Sequence, residues 1–364
     1  MKTRKKVFVA AACFLMLLTS RPVKTVAQDA LSDVIEWTDS LALEERLDAP
    51  DGVYTVWPVA SINPHGGFIV VDERERQVRL YDREGNLNDY FGRRGQGPGE
   101  FNTPTTALRL SSGHVLVPDV YGGTISRFNE EGGFVGKTPR IFRKIYEIHR
   151  LPSDDEILAA GLQAQGEDQR RQPGSFPLLH RFNLESEEIV RSFFPHPIPL
   201  GSYGNILFGI GHMASADVFG NQIVVAFAPQ GKLYFFDVSG APTGSVDIPL
   251  EHFHALEDLD VGSGTLSSSE IWDYSTMHSE INKVQWLRED VILIKYWDLI
   301  EREPWTTQNN VAAVTPEGTL LFDIADTPRF LTADRNTQEL FFSDPDYEVE
   351  NRWKVGRLIE SVFE

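Results

Sequence analysis

The sequence predicts an all-β protein, a six-bladed β-propeller with four-stranded antiparallel blades. Three observations support this fold class. A unit of short apolar strands separated by polar hairpins recurs six times along the chain. Its period is about fifty residues, a spacing typical of radially repeated sheets. Most copies also carry a glycine in the hairpin after the third strand, where a tight turn requires a positive φ. We expect residues 28–364 to form a single domain.

The second strand of each blade gives the clearest signal. From blade one to blade six these segments are GGFIVVDE, SGHVLVPD, DDEILAAG, GNQIVVAF, EDVILIKY and TQELFFSD. The inner strands are predicted immediately upstream, at residues 55–62, 104–110, 145–151, 212–218, 281–287 and 329–334. These segments mix apolar and polar residues without clean alternation, which indicates strands covered on both faces by neighbouring blades. The hairpin glycines are Gly85, Gly132, Gly240 and Gly318.

A ring of blades needs a closure. Blade six has no chain left after its third strand, whereas the apolar and polar stretch at residues 32–43 precedes blade one without a partner. Pairing the two would leave only protected sheet edges. We therefore predict that this N-terminal strand is the outer strand of blade six.

The first 27 residues are typical of a secretory signal peptide. Basic residues at positions 2–6 precede an apolar run at 7–18 and small residues that end at Ala27, where we expect cleavage. The run is shorter than the roughly 20 residues that span a bilayer, so no transmembrane span is expected. The chain is predicted to be exported, to the periplasm or beyond. Cys13 is the only cysteine, so lipidation there is the alternative to a free mature form, and no disulfide is expected.

The charge balance argues against nucleic acid as a partner. The chain has 34 basic and 53 acidic residues, a formal net charge of −19. Residues 1–27 contain six basic and no acidic residues, so their removal leaves 28 against 53, or −25. A surface of this sign repels phosphate backbones. The acidity has two interpretations: it keeps an exported protein soluble, or it binds a cation or a basic partner.

We expect the protein to be a monomer.

The crossover after blade one carries a family signature. Residues 91–101 read FGRRGQGPGEF, and Gly95, Gly97, Gly99, Glu100 and Phe101 match the end of an NHL repeat. With the export signal, the chain resembles the secreted six-bladed β-propeller proteins of bacteria. That resemblance implies a scaffold fold shared by ligand binding, protein interaction, lactone hydrolysis and peptide lyase chemistry, so it does not assign one activity.

The long segments between strands indicate where function lies. They are residues 161–177, 195–211, 250–280 and 297–310, and all fall in second turns or crossovers, which share one face of a propeller. Loops at one end of a rigid scaffold often carry binding residues, although aromatic side chains can also simply fasten long loops to the rim. Our candidate ligand contacts are Arg93, Arg94, His212, Trp297 and Trp305.

Catalysis has weaker support. The chain has no serine-nucleophile elbow, no P-loop and no HExxH motif. Propeller lactonases hold calcium near the axis with carboxylates, and Asp72, Asp119 and Asp344 follow second strands and could converge there. Aspartate also commonly caps such turns. His212 is a further candidate, although a lone histidine is more often structural.

We therefore predict a binding or interaction scaffold that uses the long-loop face to bind a protein, peptide or glycan of the cell envelope, without a cofactor. The alternative is a metal-dependent hydrolase or lyase with Ca²⁺ or Zn²⁺ near the axis.

Overall fold

The computed structural model is an all-β propeller of six four-stranded antiparallel sheets, which confirms the fold class. It describes residues 30–44, 59–163, 177–197, 214–255, 278–301, 306–344 and 352–363. In blades one to five the strands follow one another in chain order across the sheet. The first strands of neighbouring blades contact one another around the axis.

Blades one to three use consecutive strands. Blade one comprises β2 (Val59–Ile62), β3 (Phe68–Asp72), β4 (Gln77–Tyr81) and β5 (Leu87–Phe91). Blade two comprises β6 (Leu108–Arg109), β7 (Val115–Asp119), β8 (Thr124–Phe128) and β9 (Phe134–Lys137). Blade three comprises β10 (Phe142–Arg150), β11 (Glu156–Gln163), β12 (Pro177–Asn183) and β13 (Glu188–Pro195).

Blades four and five follow the same plan, and blade six departs from it. Blade four comprises β14 (Ala214–Phe219), β15 (Gln222–Phe227), β16 (Lys232–Asp237) and β17 (Pro242–Asp247). Blade five comprises β18 (Ser279–Arg288), β19 (Val291–Glu301), β20 (Thr306–Val314) and β21 (Leu320–Ile324). Blade six comprises β22 (Phe330–Asp334), β23 (Glu339–Ser343), β24 (Arg352–Leu358) and the N-terminal β1 (Ile35–Ala42), and a 3-10 helix follows at Glu360–Phe363.

The predicted closure is confirmed. Strand β1 pairs antiparallel with β24, from Ile35 opposite Leu358 to Ala42 opposite Arg352, with a register shift between Trp37 and Asp39. The first strand of the described chain therefore completes the sheet that its last strands begin. No covalent bond is needed for this closure, because the ladder hydrogen bonds and side-chain packing hold the two strands together.

The apolar core is divided among the spaces between blades. Six clusters of buried residues each join two consecutive blades. Between blades six and one, the Phe68 ring lies 4.9 Å from the ring of Phe341 and 5.1 Å from that of Trp353. Second strands are buried on both faces, as β3 shows at all five positions, and this explains their continuous apolar sequence.

The hairpin glycines have the conformation that the sequence predicts. The φ angles are +86° at Gly85, +73° at Gly132, +83° at Gly240 and +87° at Gly318. Residues with a Cβ atom rarely adopt this region, so glycine at these sites fixes the geometry of the turn between the third and fourth strands.

One predicted insertion is wrong. Residues 297–310 were expected to form a long loop in blade five, but β19 extends to Glu301 and β20 begins at Thr306. The segment is mainly a longer hairpin, because its residues continue the ladder of the two strands, with Trp297 opposite Asn309. The inner strands of blades one and four were expected to begin at residues 55 and 212, and those first positions lie outside the described residues.

Candidate functional site

The two ends of the propeller differ in the length of their connections. We call the end with the first and third turns the short-turn face and the end with the second turns and crossovers the crossover face. Every connection between described strands at the short-turn face has two to five residues. Six connections at the crossover face have eight or more: 43–58, 92–107, 164–176, 196–213, 248–278 and 344–351. The strand ends thus agree with the expectation for three of the four predicted segments, 161–177, 195–211 and 250–280, whose flanking strands end at this one face.

Asp72, a candidate catalytic residue, occupies a structural position. Its Oδ1 accepts hydrogen bonds from the backbone N–H groups of Arg74 and Glu75 at 3.1 and 3.0 Å. Its Oδ2 lies 2.8 Å from Nη2 of Arg79, and neither side chain is exposed. Burial raises the pKa of Asp72, and the N–H of Glu75 and the guanidinium of Arg79 oppose that rise.

Asp119 and Asp344 also have local partners. Asp119 accepts backbone hydrogen bonds from Asn102 at 2.6 Å, Thr103 at 3.3 Å and Gly122 at 3.0 Å. The carboxylate of Asp344 lies 3.8 Å from the Lys354 ammonium. Asp72 and Asp119 are the last residues of second strands and Asp344 directly follows one, so the three aspartates belong to three different blades. Within the described ranges, no group of three or more His, Cys, Asp or Glu side chains is arranged to hold a metal ion.

The crossover that carries Arg93 and Arg94 is a compact turn anchored by Phe101. The backbone N–H of Phe101 donates to the carbonyl oxygen of Arg93 at 2.8 Å, and Gly95 donates to that of Phe101 at 3.0 Å. The Phe101 side chain is fully buried and its ring lies 5.6 Å from that of Phe128. Packing of this ring between blades one and two therefore holds the two arginines at the crossover face.

Glu100 closes the same turn. Its Oε2 accepts from the N–H of Gly97 at 2.8 Å and its Oε1 lies 2.9 Å from Nε of Arg93. These bonds lower the pKa of Glu100, the N–H of Gly97 contributing most. The Arg93 side chain is nevertheless 76% exposed. Arg94 is exposed and forms no ion pair with any residue that the structure describes.

The other candidate contacts are placed only in part. Trp297 lies on β19, opposite Glu280 and Asn309, and its side chain is half-buried. It lies in the half of the second strand that ends at the crossover face. His212 and Trp305 lie outside the described residues, so the structure does not place them beside Arg93 or Trp297.

A group of residues near Tyr121 was not singled out from the sequence. Tyr121, in the second turn of blade two, is 58% exposed. The Lys144 ammonium lies 5.6 Å from the centre of its ring and 5.9 Å from that of Tyr146. Arg140, on the crossover to blade three, and Arg143, on the β10 strand that follows it, are both exposed. No single sequence motif indicates this group, because its members come from different segments. Blade two supplies the Tyr121 ring, and the crossover and first strand of blade three supply the cations.

Polar side chains of the inner strands bind the backbone of the neighbouring inner strand. Between blades four and five, Oδ2 of Asp217 accepts from the N–H of Trp286 at 2.8 Å, and Oγ of Ser215 accepts from that of Val284 at 3.1 Å. Adjacent inner strands share no ladder, so these side chains satisfy buried backbone groups. Further pairs of this kind join Glu147 to Ala216 and Gln285 to Ala333. Two more involve residues directly before β6: Ser61–Ala107 and Thr105–Tyr146.

Two basic side chains complete this network around the axis. Nζ of Lys283 donates to the carbonyl oxygen of Leu331 at 2.7 Å. Burial lowers the pKa of Lys283 to about 8, and the carboxylates of Glu147 and Asp217 oppose that fall. Arg335 forms an ion pair with Asp217, at the short-turn end of the axis. The charged groups of the axis therefore hold the blades together.

Two solved structures have a similar fold. A member of the DUF4221 family from Bacteroides vulgatus aligns with a TM-score of 0.59 and 12% identity over 89% of this chain and 97% of that chain. An exported-protein candidate from Bacteroides fragilis aligns with a TM-score of 0.61 and 11% identity over 90% of this chain and 96% of that chain. The chain is a six-bladed β-propeller with a DUF4221-family structural neighbour. At such low identities the likeness shows the fold alone.

The sequence itself matches no family model and no curated protein. Among the residues that the structure describes, no helix is long and apolar enough to cross a membrane. The residues of the predicted signal peptide lie outside the described ranges, so export stays a prediction.

Proposed function

We propose that this chain is an exported binding scaffold that uses its crossover face to hold a protein, peptide or glycan partner of the cell envelope. The observation that carries the proposal is the asymmetry of the two faces. A ring closed by β1 and β24 presents only short turns at one end and six longer connections at the other. Long connections on a rigid frame can vary in sequence and shape without disturbing the core.

The side chains at the crossover face support this use. Arg93 keeps most of its surface exposed although Glu100 orients it, and Arg94 projects from a turn fixed by the buried Phe101. An oriented arginine loses less conformational entropy when it binds than a free one does. Arginine and tryptophan are also the residue types that most often dominate binding energy at interfaces.

The resemblance to NHL repeats and the predicted export belong to the same proposal. Glu100 and Phe101, two matching residues of the NHL-like signature, have defined roles in the turn, since one caps it and the other anchors it. The prediction of a secretory signal in residues 1–27 is consistent with an exported-protein candidate among the structural neighbours.

Affinity capture with matched variants tests the proposal. The purified protein would be immobilised and exposed to an envelope extract, beside a variant with Arg93→Glu and Arg94→Glu and one with Trp297→Ala and Trp305→Ala. Arg150→Glu is the control, because Arg150 is an exposed arginine at the short-turn end of β10. We expect a partner that the control retains and the crossover-face variants lose, with unchanged melting temperatures. A partner lost only by Arg150→Glu would contradict the proposal.

The metal-dependent alternative gains no supporting observation from the described residues. Turn N–H groups or basic side chains already engage Asp72, Asp119 and Asp344. Elemental analysis after dialysis tests this alternative. A stoichiometric ion that disappears with Asp344→Ala would favour a hydrolase or lyase over the scaffold.

A further inference from the structure

Basic side chains gather at one sector of the crossover face although the chain as a whole carries a net charge of −19. Arg94 comes from the crossover between blades one and two, and Arg140, Arg143 and Lys144 come from the crossover and first strand that follow blade two. Tyr121 lies in the turn between these two segments. We call these five residues the basic–aromatic patch.

The turn at residues 119–123 brings the two segments together. On one side, the Asp119 carboxylate accepts from the N–H groups of Asn102 and Thr103, which lie in the same crossover as Arg94. On the other side, the carbonyl oxygen of Gly123 accepts from the N–H groups of Ile141 and Phe142 at 3.2 and 3.1 Å. Tyr121 is therefore fixed between the two sources of positive charge.

Glycine is required at position 123. Its φ is +64°, and a Cβ atom there would overlap the carbonyl oxygen of Phe142. The close approach of the turn to the following segment thus depends on the missing side chain. This gives the patch a rigid backbone on the side of Arg140 and Lys144.

The cations beside Tyr121 act on one another. Burial lowers the pKa of Lys144, and the positive charge of the neighbouring Arg143 lowers it further. Arg140, like Arg94, forms no ion pair with any residue in the described ranges. The Debye length is about 8 Å at physiological ionic strength, so salt screens the charges of more distant acidic residues from a ligand that contacts the patch directly.

We propose that the basic–aromatic patch binds a carboxylated sugar, such as a short uronate oligosaccharide. This assignment rests on the proposed binding function and names the ligand class for one sector of the crossover face. Guanidinium groups match the fork geometry of carboxylates. The exposed Tyr121 ring offers a flat apolar surface to the C–H face of a sugar while its hydroxyl remains in water. An acidic peptide would use the cations and leave this ring without a role.

Titration calorimetry at 0.15 M salt tests the assignment, with tetragalacturonate as ligand and maltotetraose and tetraglutamate as controls. We expect binding of tetragalacturonate, none of maltotetraose, and at least tenfold weaker binding of tetraglutamate. Tyr121→Ala and Arg140→Ser should each weaken tetragalacturonate binding by about tenfold, the change that corresponds to about 1.4 kcal/mol. Arg150→Ser, at the opposite face, should leave it unchanged. Both tested patch side chains are exposed, so thermal melts should match the unsubstituted protein.

The contrary outcomes separate this inference from the proposed function. Equal affinity for tetraglutamate, or binding that Tyr121→Ala leaves intact, would overturn the sugar assignment. The absence of binding to tetragalacturonate would overturn it as well. After any of these outcomes, the proposed function would still stand if the Arg93→Glu and Arg94→Glu variant failed to capture an envelope partner that the unsubstituted protein captures. The proposed function would fall if no captured partner depended on residues of the crossover face.

Discussion

Ile35 in the first strand pairs with Leu358 in the last strand of the propeller. This pairing makes blade six a sheet of two chain segments from opposite ends of the sequence. Each of the other blades is built from consecutive strands, so the ring depends on this one ladder to avoid an open edge. Loss of the β1–β24 ladder would therefore open the ring, so this ladder should contribute to the stability of the whole propeller.

A protein that lacks residues 28–45 should show no cooperative unfolding transition at the melting temperature of the full protein. The deletion removes β1, exposes the edge of β24 and uncovers Trp353, which is 1% exposed in the complete blade. Differential scanning calorimetry of the two proteins measures the effect. A truncated protein with the melting temperature of the full protein would refute the role of β1 in closure.

Gly356→Val should test the same contact with one substitution. A Cβ at Gly356 would lie 3.0 Å from the carbonyl oxygen of Glu36 and 3.2 Å from the ring of Trp37. Overpacking of this kind typically costs about 1–3 kcal/mol. Gly244→Val is the matched control, because Gly244 lies on the outer strand of blade four and a Cβ there meets no atom within 4 Å. Equal stability of the two variants in urea would contradict close packing of β1 on β24.

Asp72→Ala should destabilise the protein by about 3–5 kcal/mol, since it leaves the fully buried Arg79 without its counter-charge. The double variant Asp72→Leu with Arg79→Met should recover most of that loss, because two apolar side chains can replace a buried pair. Urea unfolding of both variants gives the comparison. If Asp72→Ala were neutral for stability, the structural assignment of this carboxylate would be wrong.

Lys283 should make stability rise with pH in mildly alkaline solution. Its pKa is about 8 in the folded chain, below the ordinary lysine value of 10.5. Between these two values the unfolded chain binds more protons, so the free energy of unfolding increases as pH increases. Lys283→Met should flatten the rise measured between about pH 8 and 9.5, whereas Lys232→Met, at the periphery of blade four, should preserve it. An unchanged slope in Lys283→Met would show that the axis does not disfavour the charged amine.

His180 should contribute a pH dependence of the same sign on the acidic side, so that stability rises between about pH 4 and pH 6.5. This buried side chain contacts Oγ of Ser192 at 2.8 Å and the carbonyl oxygen of Gly161 at 3.2 Å, and burial lowers its pKa to about 4 from 6.5. Below pH 6.5 the unfolded chain takes up a proton that the folded chain excludes, so stability falls from there toward pH 4. His180→Gln should reduce this fall, and substitution of the exposed His252 should not. An identical acid profile for His180→Gln would reject the argument.

The repeat, the closure and the hairpin glycines could be predicted because each leaves a local pattern. Continuous apolar second strands and a glycine such as Gly85 are visible in any one copy, and the unpaired segment at 32–43 follows from counting strands. The extension of β19 through Trp297 was missed, because an aromatic and polar strand that extends beyond the core resembles a loop in sequence.

The site could be predicted only in outline. The sequence indicated the crossover face and placed Asp119 at the end of a strand, but it could not show that the carboxylate binds the N–H groups of Asn102 and Thr103. The contact of Lys144 with Tyr121 joins two blades, and the repeat pattern of a sequence does not predict contacts between blades. The hydrogen bond between Asp217 and Trp286 could not be predicted for the same reason, because it joins the inner strands of two different blades.

The most direct test of the crossover face as the binding surface is a hydrogen–deuterium exchange footprint of the protein with its captured partner. The account predicts slower exchange at residues 92–103 and 119–123, and unchanged exchange in the short turns at 82–86, 129–133 and 315–319 at the opposite end. Protection confined to those short turns would contradict it.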